Sequence, residues 1–227
     1  MDQFIQLLKK TAIFSGLTDA VIKNEVLPHG RLQEKAKGSY LIRFQEVCNS
    51  FGIVLSGKIS MTHIYGNGNY GIIGVLEDED LFGVDLACTR SCISPYYAVA
   101  MQPTKMLFFP VSLLWEQGAL SEETRAHILH NMLRFISDEN MRKEYRLAIL
   151  LQKGLRDRIM TYLTMQANKR GYDTFTVPFT RDELASYLCV NRASLSHELS
   201  LMQQEGLIKF RRNTFTLPGW EQSGEVC

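Results

Sequence analysis

The sequence of 227 residues is long enough for two domains, since one domain takes roughly 100–200 residues. Its 45% hydrophobic and 22% charged residues are ordinary for a globular protein, and a formal net charge of +1 does not by itself indicate nucleic-acid binding. Since no apolar run approaches the ~20 residues of a membrane-spanning helix and the N-terminus lacks the plan of a secretory signal, we expect a cytoplasmic protein without a membrane partner.

The first part of the chain predicts two short helices followed by many strands. Residues 4–10 and 18–25 have helical spacing, with Thr18 as a capping residue and Pro28 ending the second helix. From about residue 32 to residue 111, short apolar runs such as YLIRF, YGIIGVL and KMLFFP alternate with turn segments such as KGS, GNGN and EDED. Strands at this spacing predict a closed or double-sheet antiparallel β structure.

A single long helix is predicted over residues 121–151. No proline or glycine interrupts it before Gly154, so it spans about 30 residues or ~45 Å. Its alternating four-three spacing is typical of a coiled-coil seam. The seam comprises Leu129, Leu133, Ile136, Asn140, Lys143, Leu147 and Leu150, and a second stripe of Ile128, Met132 and Phe135 can pack on the β structure. We therefore favour a homodimer through this helix over a single helix buried within a monomer.

The C-terminal part has the pattern of a winged helix-turn-helix. A helix over about residues 155–169 precedes it. Thr180 and Glu183 can form a capping box at the start of the next helix, and Cys189 lies in the turn that follows. The last helix runs from about residue 192 to 205 and ends at Gly206. The segments LIKF and TFTL, joined by RRNT, then predict a two-stranded wing.

Polar and basic side chains lie where such a motif would meet DNA. An arginine can pair with guanine O6 and N7, a serine can bind a base or a phosphate, and basic residues on a wing are suited to phosphates. The predicted contacts are Arg192, Ala193, Ser194, Ser196 and His197 on the last helix, and Lys209, Arg211 and Arg212 on the wing. The alternative is a winged helix that makes only protein contacts with solvated charges.

Nearly the whole sequence resembles the CRP/FNR family of bacterial regulators. The matching segments are FGIVLSGKIS, the LFG after an acidic turn, SPYYAVA, TKMLFFP, LAILLQKGLRDRI and, most specifically, residues 180–217. The resemblance implies an α+β fold with an N-terminal double-stranded β-helix (jelly-roll) sensor domain over 1–118, a dimerisation helix over 119–151 and a winged helix-turn-helix domain over 152–227. It implies a transcription regulator that binds palindromic double-stranded DNA as a homodimer and has RNA polymerase as a partner.

Three positions in the helix-turn-helix are informative by resemblance. Arg192 falls on the family's guanine-reading arginine. Ala193 falls where many members have a base-contacting glutamate, and His197 falls where many have a second arginine, so we expect a different DNA half-site. Cys189 falls on a turn position that is commonly glycine, where a positive φ would strain any other residue.

The family's known cofactors do not fit this sequence. By strand alignment the phosphate-binding Arg-Ser pair of cyclic-nucleotide members falls near Pro95 and Tyr96, whereas an Arg-Ser pair occurs only earlier, within residues 89–91, so cyclic AMP is not expected. No cysteine precedes Cys48, so no iron–sulfur cluster is expected. The five cysteines, which are Cys48, Cys88, Cys92, Cys189 and Cys227, do not suggest a disulfide framework. Cys88 and Cys92 could be a redox or metal pair, but two small buried thiols are favoured.

An enzyme and a metal site are also not expected. Among the five histidines only His63 lies in the strand region, and His127 with His130 predicts a solvated helix face rather than a metal pair. A small effector of unknown identity could bind between the β structure and the long helix. The predicted lining is Met61, His63, Phe82, Tyr96, Tyr97, Lys143 and Glu144. Lys143 could pair with an acidic ligand or, as we favour, with Glu139 one turn earlier.

Overall fold

The computed structural model describes residues 2–64 and 70–220, so the predicted GNGN turn and Cys227 lie outside the described residues. The chain separates into two compact units, Met1–Asp138 and Glu139–Cys227. The division falls inside the longest helix, between the boundaries predicted at residues 118 and 151. Within the described ranges, no helix is both long and apolar enough to cross a membrane.

Helices at the start of the first unit follow the prediction in part. Helix α1 spans Asp2–Lys10 and helix α2 spans Asp19–Val21, where the Thr18 hydroxyl accepts a hydrogen bond from the Val21 amide at 3.3 Å. The chain then widens into a π-helix over Ile22–Val26 and tightens into a 3-10 turn over Leu27–His29, which contains Pro28. The predicted helix over residues 18–25 therefore begins as expected but is regular for one turn only.

Eight strands form the predicted double-sheet structure. They are β1 (Arg31–Lys35), β2 (Tyr40–Ile42), β3 (Ser50–Ser56), β4 (Ile59–Ile64), β5 (Tyr70–Leu76), β6 (Leu81–Phe82), β7 (Tyr97–Ala100) and β8 (Thr104–Pro110), with the short helix α3 (Val84–Ala87) after β6. One sheet has the order β1-β8-β3-β6 and the other β2-β7-β4-β5. The strand pairs within both sheets are antiparallel, as predicted.

Aromatic packing marks the centre of the first unit's core. The rings of Phe14 and Phe109 have centroids 5.2 Å apart, and those of Phe51 and Phe109 lie 5.7 Å apart. Ile128 and Met132 are buried in the same core and Phe135 packs against it. The predicted second stripe of the long helix therefore packs on the β structure, where each fully buried side chain of this size contributes ~1.5–3 kcal/mol.

The long helix α4 spans Glu122–Leu150, and its other face is open. The Ser121 hydroxyl accepts a hydrogen bond from the Thr124 amide at 3.3 Å and so caps its first turn. On the predicted seam, Leu133 is 66% exposed and Leu147 is 50% exposed. Asn140 is exposed as well, whereas Leu129, Ile136 and Leu150 are half-buried. The predicted seam is therefore not buried within the single chain, contrary to the alternative of a helix enclosed in a monomer.

The second unit has the predicted winged-helix order. It contains α5 (Leu155–Arg170), β9 (Thr174–Thr176), α6 (Arg181–Tyr187), α7 (Arg192–Gln204), β10 (Lys209–Arg211) and β11 (Thr214–Thr216). The strands form one antiparallel sheet in the order β10-β11-β9. Leu163, Leu188, Leu199 and Phe215 are buried in a single core that joins the helices to this sheet.

Candidate DNA-binding surface

Local hydrogen bonds fix the helix α6 that precedes the turn. The Thr180 hydroxyl accepts from the Glu183 amide at 3.3 Å, and the Glu183 carboxylate accepts from the Thr180 amide at 2.7 Å, which is the predicted capping box. Leu184 and Ala185 are buried on the inner face of α6. Since capping boxes satisfy backbone donors that the helix itself cannot satisfy, the start of α6 is set by its own sequence.

In the turn between α6 and α7, Cys189 occupies the position that is commonly glycine in the family that the sequence resembles. Cys189 has a φ of 56°, in the left-handed region where a side chain is unfavourable. The Val190 amide donates to the Ala185 carbonyl at 3.0 Å, and the Asn191 side chain caps α7 by accepting from the Ser194 amide at 2.7 Å. Packing on both sides of the turn therefore holds Cys189 in place at a cost of about 1 kcal/mol or more.

The start of α7 presents the predicted DNA contacts on one exposed surface. Leu195, Leu199 and Met202 are buried on the inner face of the helix. On the outer face, Arg192, Ala193, Ser194 and His197 are exposed and Ser196 is half-buried. The N-terminal residues of a recognition helix are those that contact base edges in the major groove. The structure therefore brings all five predicted residues together at the end of α7 that can enter a groove.

Arg156 on α5, which was not predicted as a site residue, connects α5 to two glutamates of the α7 segment. The Arg156 Nε donates to Glu198 at 2.7 Å, and its two terminal nitrogens donate to the two carboxylate oxygens of Glu205 at 2.6 and 2.9 Å. Hydrogen bonding to Glu205 and to Glu198 raises the pKa of Arg156 above its usual value. These contacts join residues 42 and 49 positions apart, so local sequence patterns carry no signal for them.

The wing is a short hairpin with its basic residues exposed. Phe210 and Phe215 stack with ring centroids 5.8 Å apart and hold β10 against β11. Lys209 and Arg211 are exposed on β10. Arg212 is exposed at the tip with a φ of 53°. The predicted phosphate contacts thus lie on the same unit as the outer face of α7.

A second arginine outside the prediction links α6 to the wing. The Arg181 guanidinium lies over the rings of Phe210 and Phe215, at 5.2 and 5.6 Å from their centroids. It also donates to the Arg212 backbone carbonyl at 3.0 Å. Burial, and then the nearby positive charge of Arg192, lower the pKa of Arg181. Arg181 therefore links α6 to the tip of the wing, through aromatic and main-chain contacts together.

Arg192 itself is paired with a neighbour on α6. Its Nη1 atom donates to Asp182 Oδ2 at 3.1 Å, and both side chains are largely exposed. Arg192 was predicted as a DNA contact, whereas Asp182 was not. Since the two residues are ten positions apart on different helices, only the turn geometry brings them together.

The predicted effector residues do not share one surface of the first unit. Phe82 and Tyr96 are buried in one core cluster of the first unit, with Met61 packed against it, and burial raises the pKa of Tyr96. Tyr97 instead contacts the exposed rings of Tyr40 and Phe44 at centroid distances of 5.8 and 6.1 Å. Tyr96 precedes β7 and is buried, whereas Tyr97 begins the strand and contacts exposed rings, so the two do not line one interior surface.

Further predicted positions differ in their surroundings. His63 is half-buried on β4, whereas Lys143 and Glu144 are exposed on α4. Glu139 forms an ion pair with Arg142, and the expected pairing of Glu139 with Lys143 stays a prediction. Shallow surface hollows of about 460 and 320 Å³ occur in the first unit, and none of the predicted effector residues lines them.

Two expectations about thiols and histidines are wrong in part. Cys88 is exposed rather than buried, whereas Cys92 is half-buried and has a φ of 52°. His127 is half-buried and its Nε2 atom donates to the Ser15 carbonyl at 2.7 Å, so it is not on a solvated face, whereas His130 is exposed as expected. Across the described ranges, His, Cys, Asp and Glu side chains form no group of three or more that could hold a metal ion.

Comparisons with known proteins agree with this architecture. Residues 32–117 match the model of the cyclic nucleotide-binding domain, and residues 157–222 match that of the Crp-like helix-turn-helix domain. The transcriptional activator protein FnrA of Stutzerimonas stutzeri is 25% identical over 191 residues, 82% of this chain and 75% of FnrA. The transcriptional activator protein Anr of Pseudomonas aeruginosa is 26% identical over 190 residues, with 82% and 75% covered.

A solved structure shows the same fold. The Thermus thermophilus catabolite activator protein superposes with a TM-score of 0.55 at 17% identity, over 94% of this chain and 95% of that one. At this identity the likeness concerns the fold alone. Together with the two matched domains, it places the jelly roll, the long helix and the winged helix in the order that the sequence predicted.

Proposed function

The chain belongs to the CRP/FNR family of transcription regulators, and we propose that it binds a palindromic DNA site as a homodimer through α7 and the wing. It is a DNA-binding regulator with a cyclic nucleotide-binding-like domain and a helix-turn-helix. The observation that carries the proposal is the exposed outer face at the start of α7, which presents donors suited to base edges. The family consists of transcription regulators, which are not enzymes.

The contacts divide into two classes. Arg192 would pair with a guanine through O6 and N7, while Ser194, Ser196 and His197 would bind bases or phosphates near it. Ala193 carries only a methyl group, which suits the methyl group of a thymine. Lys209, Arg211 and Arg212 would contact phosphates, which fix the orientation of the protein without specifying sequence. Arg156 supports this arrangement because it holds α7 by two of its carboxylates.

The exposed seam of α4 supports the homodimer. Two apolar side chains of the seam, Leu133 and Leu147, are at least half exposed in the single chain. A helix of 29 residues is about 44 Å long, enough for several heptads of contact with a second copy. A twofold dimer requires a twofold site, with half-sites about one helical turn or ~34 Å apart.

The signal and the downstream partner are also proposals. A small effector would bind in the jelly-roll unit near Met61, His63, Phe82 and Tyr96. A ligand that favours one arrangement of the two winged helices over another would change DNA affinity by its differential binding. RNA polymerase is the partner through which such a regulator would act on transcription.

Selection of binding sites from a random duplex library tests the proposal. The purified protein should enrich a twofold-symmetric motif. In the same assay, Arg192→Met should lose the preference at one base pair in each half-site, and the discrimination lost should correspond to ~1–3 kcal/mol. Arg170→Met, which removes a charge elsewhere on the same unit, is the matched control. Enrichment of no motif, or an unchanged motif with Arg192→Met, would contradict the proposed contact.

A further inference from the structure

We infer that Asp182 is a specificity-determining residue that positions Arg192 for base recognition, an inference that rests on the proposed function of Arg192. The direct observation is the hydrogen bond from Arg192 Nη1 to Asp182 Oδ2 at 3.1 Å. Arg192 is the first residue of α7, and Asp182 is in the first turn of α6. The pair therefore bridges the two helices at the end of the motif that would face DNA.

The charges around Arg192 give Asp182 a directing role. The N-terminus of α7 carries partial positive charge, which disfavours a cation there. Arg181 is a second like charge, close enough that the positive charge of Arg192 contributes to lowering its pKa. Arg181 is itself held over the wing rings and bonded to the Arg212 carbonyl, so it is not free to accommodate Arg192. Asp182 offers the carboxylate toward which the Arg192 guanidinium turns.

The pairing leaves Arg192 able to bind a base. A guanidinium has five N–H donors, and the contact to Asp182 uses one of them. The remaining donors suffice for a bidentate contact to guanine O6 and N7. A long side chain that is restrained before binding loses less rotamer freedom when it binds. Asp182 therefore favours the one orientation of Arg192 that suits guanine over orientations that suit another base or a phosphate.

Asp182 has a second, opposing effect that makes the role measurable. A carboxylate at a DNA-facing surface repels phosphates, so it weakens binding to every sequence. Removing it should raise affinity for random DNA while lowering discrimination at the base pair bound by Arg192. Replacing a residue that only supported the fold would instead weaken binding to the selected site and to random DNA alike.

The experiment measures dissociation constants for the selected site and for the same site with the guanine pair replaced. The discrimination ratio is the dissociation constant of the altered site divided by that of the selected site. Asp182→Asn should lower this ratio about two- to five-fold, the range for an exposed ion pair, and should tighten binding to random duplex DNA. Asp173→Asn removes one exposed negative charge elsewhere on the same unit and should leave the ratio unchanged. Thermal melting checks folding, and Asp182→Ser provides a second variant with the same expectation.

A double variant separates the possible failures. In an Arg192→Met background, Asp182→Asn should no longer change the ratio, because the side chain that it positions is gone. An Arg192→Met variant with full base preference would refute the proposed function. Loss of preference with Arg192→Met, together with an undiminished ratio in both Asp182 variants, would refute the positioning role and leave the proposed function standing.

Discussion

Replacement of Leu133 by alanine tests the proposed dimer at its most exposed seam position. Fully burying a leucine side chain contributes ~1.5–3 kcal/mol, and Leu133 is 66% exposed in the single chain. Covering the exposed part would contribute roughly 1–2 kcal/mol for each protomer. Because the residue occurs twice in a symmetric interface, Leu133→Ala should weaken the dimer by about 2–4 kcal/mol, or roughly 30- to 900-fold in the dimer dissociation constant.

The control for this prediction lies on the same helix. Tyr145 is also exposed, at 52%, but lies about 120° around α4 from Leu133. Tyr145→Ala should therefore leave the dimer constant within a few-fold of the original. Sedimentation velocity over a range of concentrations measures both variants. An unaltered constant for Leu133→Ala, or a native chain that is monomeric at micromolar concentration, would refute the argument for this seam.

Three further predictions concern the wing, the turn and the sensor unit. Arg211→Ala should weaken binding to all DNA sequences alike and reduce the slope of log affinity against log salt by ~0.9 for each protomer, as filter binding at several salt concentrations would show. Cys189→Val should lower the free energy of unfolding by about 1 kcal/mol or more in urea, because a β-branched residue is strained at a φ of 56°, and Cys189→Gly should not. Cyclic AMP should give no binding in calorimetry at micromolar concentration, since Arg90 and Ser91 lie on an exposed loop.

The helix-turn-helix was predictable because its determinants are local. Thr180, Glu183 and Asn191 make contacts three residues along the chain, and Gly206 has a φ of 78° just after α7. Such contacts leave capping residues and glycines at fixed spacings, which a sequence shows directly. The strained φ at Cys189 was predictable only through the resemblance, since a cysteine carries no local signal for it.

Contacts between distant residues explain what the sequence did not predict. Strand β1, with the sequence RLQEK, is almost entirely exposed and has no alternation, and its position depends on pairing with β8, more than 60 residues later. The different surroundings of Tyr96 and Tyr97 depend on where β7 begins, because Tyr97 is its first residue and Tyr96 lies before it. The ion pairs of Arg156 likewise depend on how α5 and α7 pack, which no spacing reveals.

The arrangement of charges also explains why a net charge of +1 is compatible with DNA binding. Glu198 and Glu205 are seven residues apart on α7 and so share one face of the helix. Arg156 pairs with both of them there, and its single positive charge offsets one of the two negative charges. Asp182 is the carboxylate that remains beside Arg192, and it is paired with that arginine. Electrostatic attraction to DNA depends on the charges within about a Debye length of the phosphates, ~8 Å at physiological salt. The exposed residues Arg192, Lys209, Arg211 and Arg212 therefore provide positive charge on this surface, which Asp182 offsets in part.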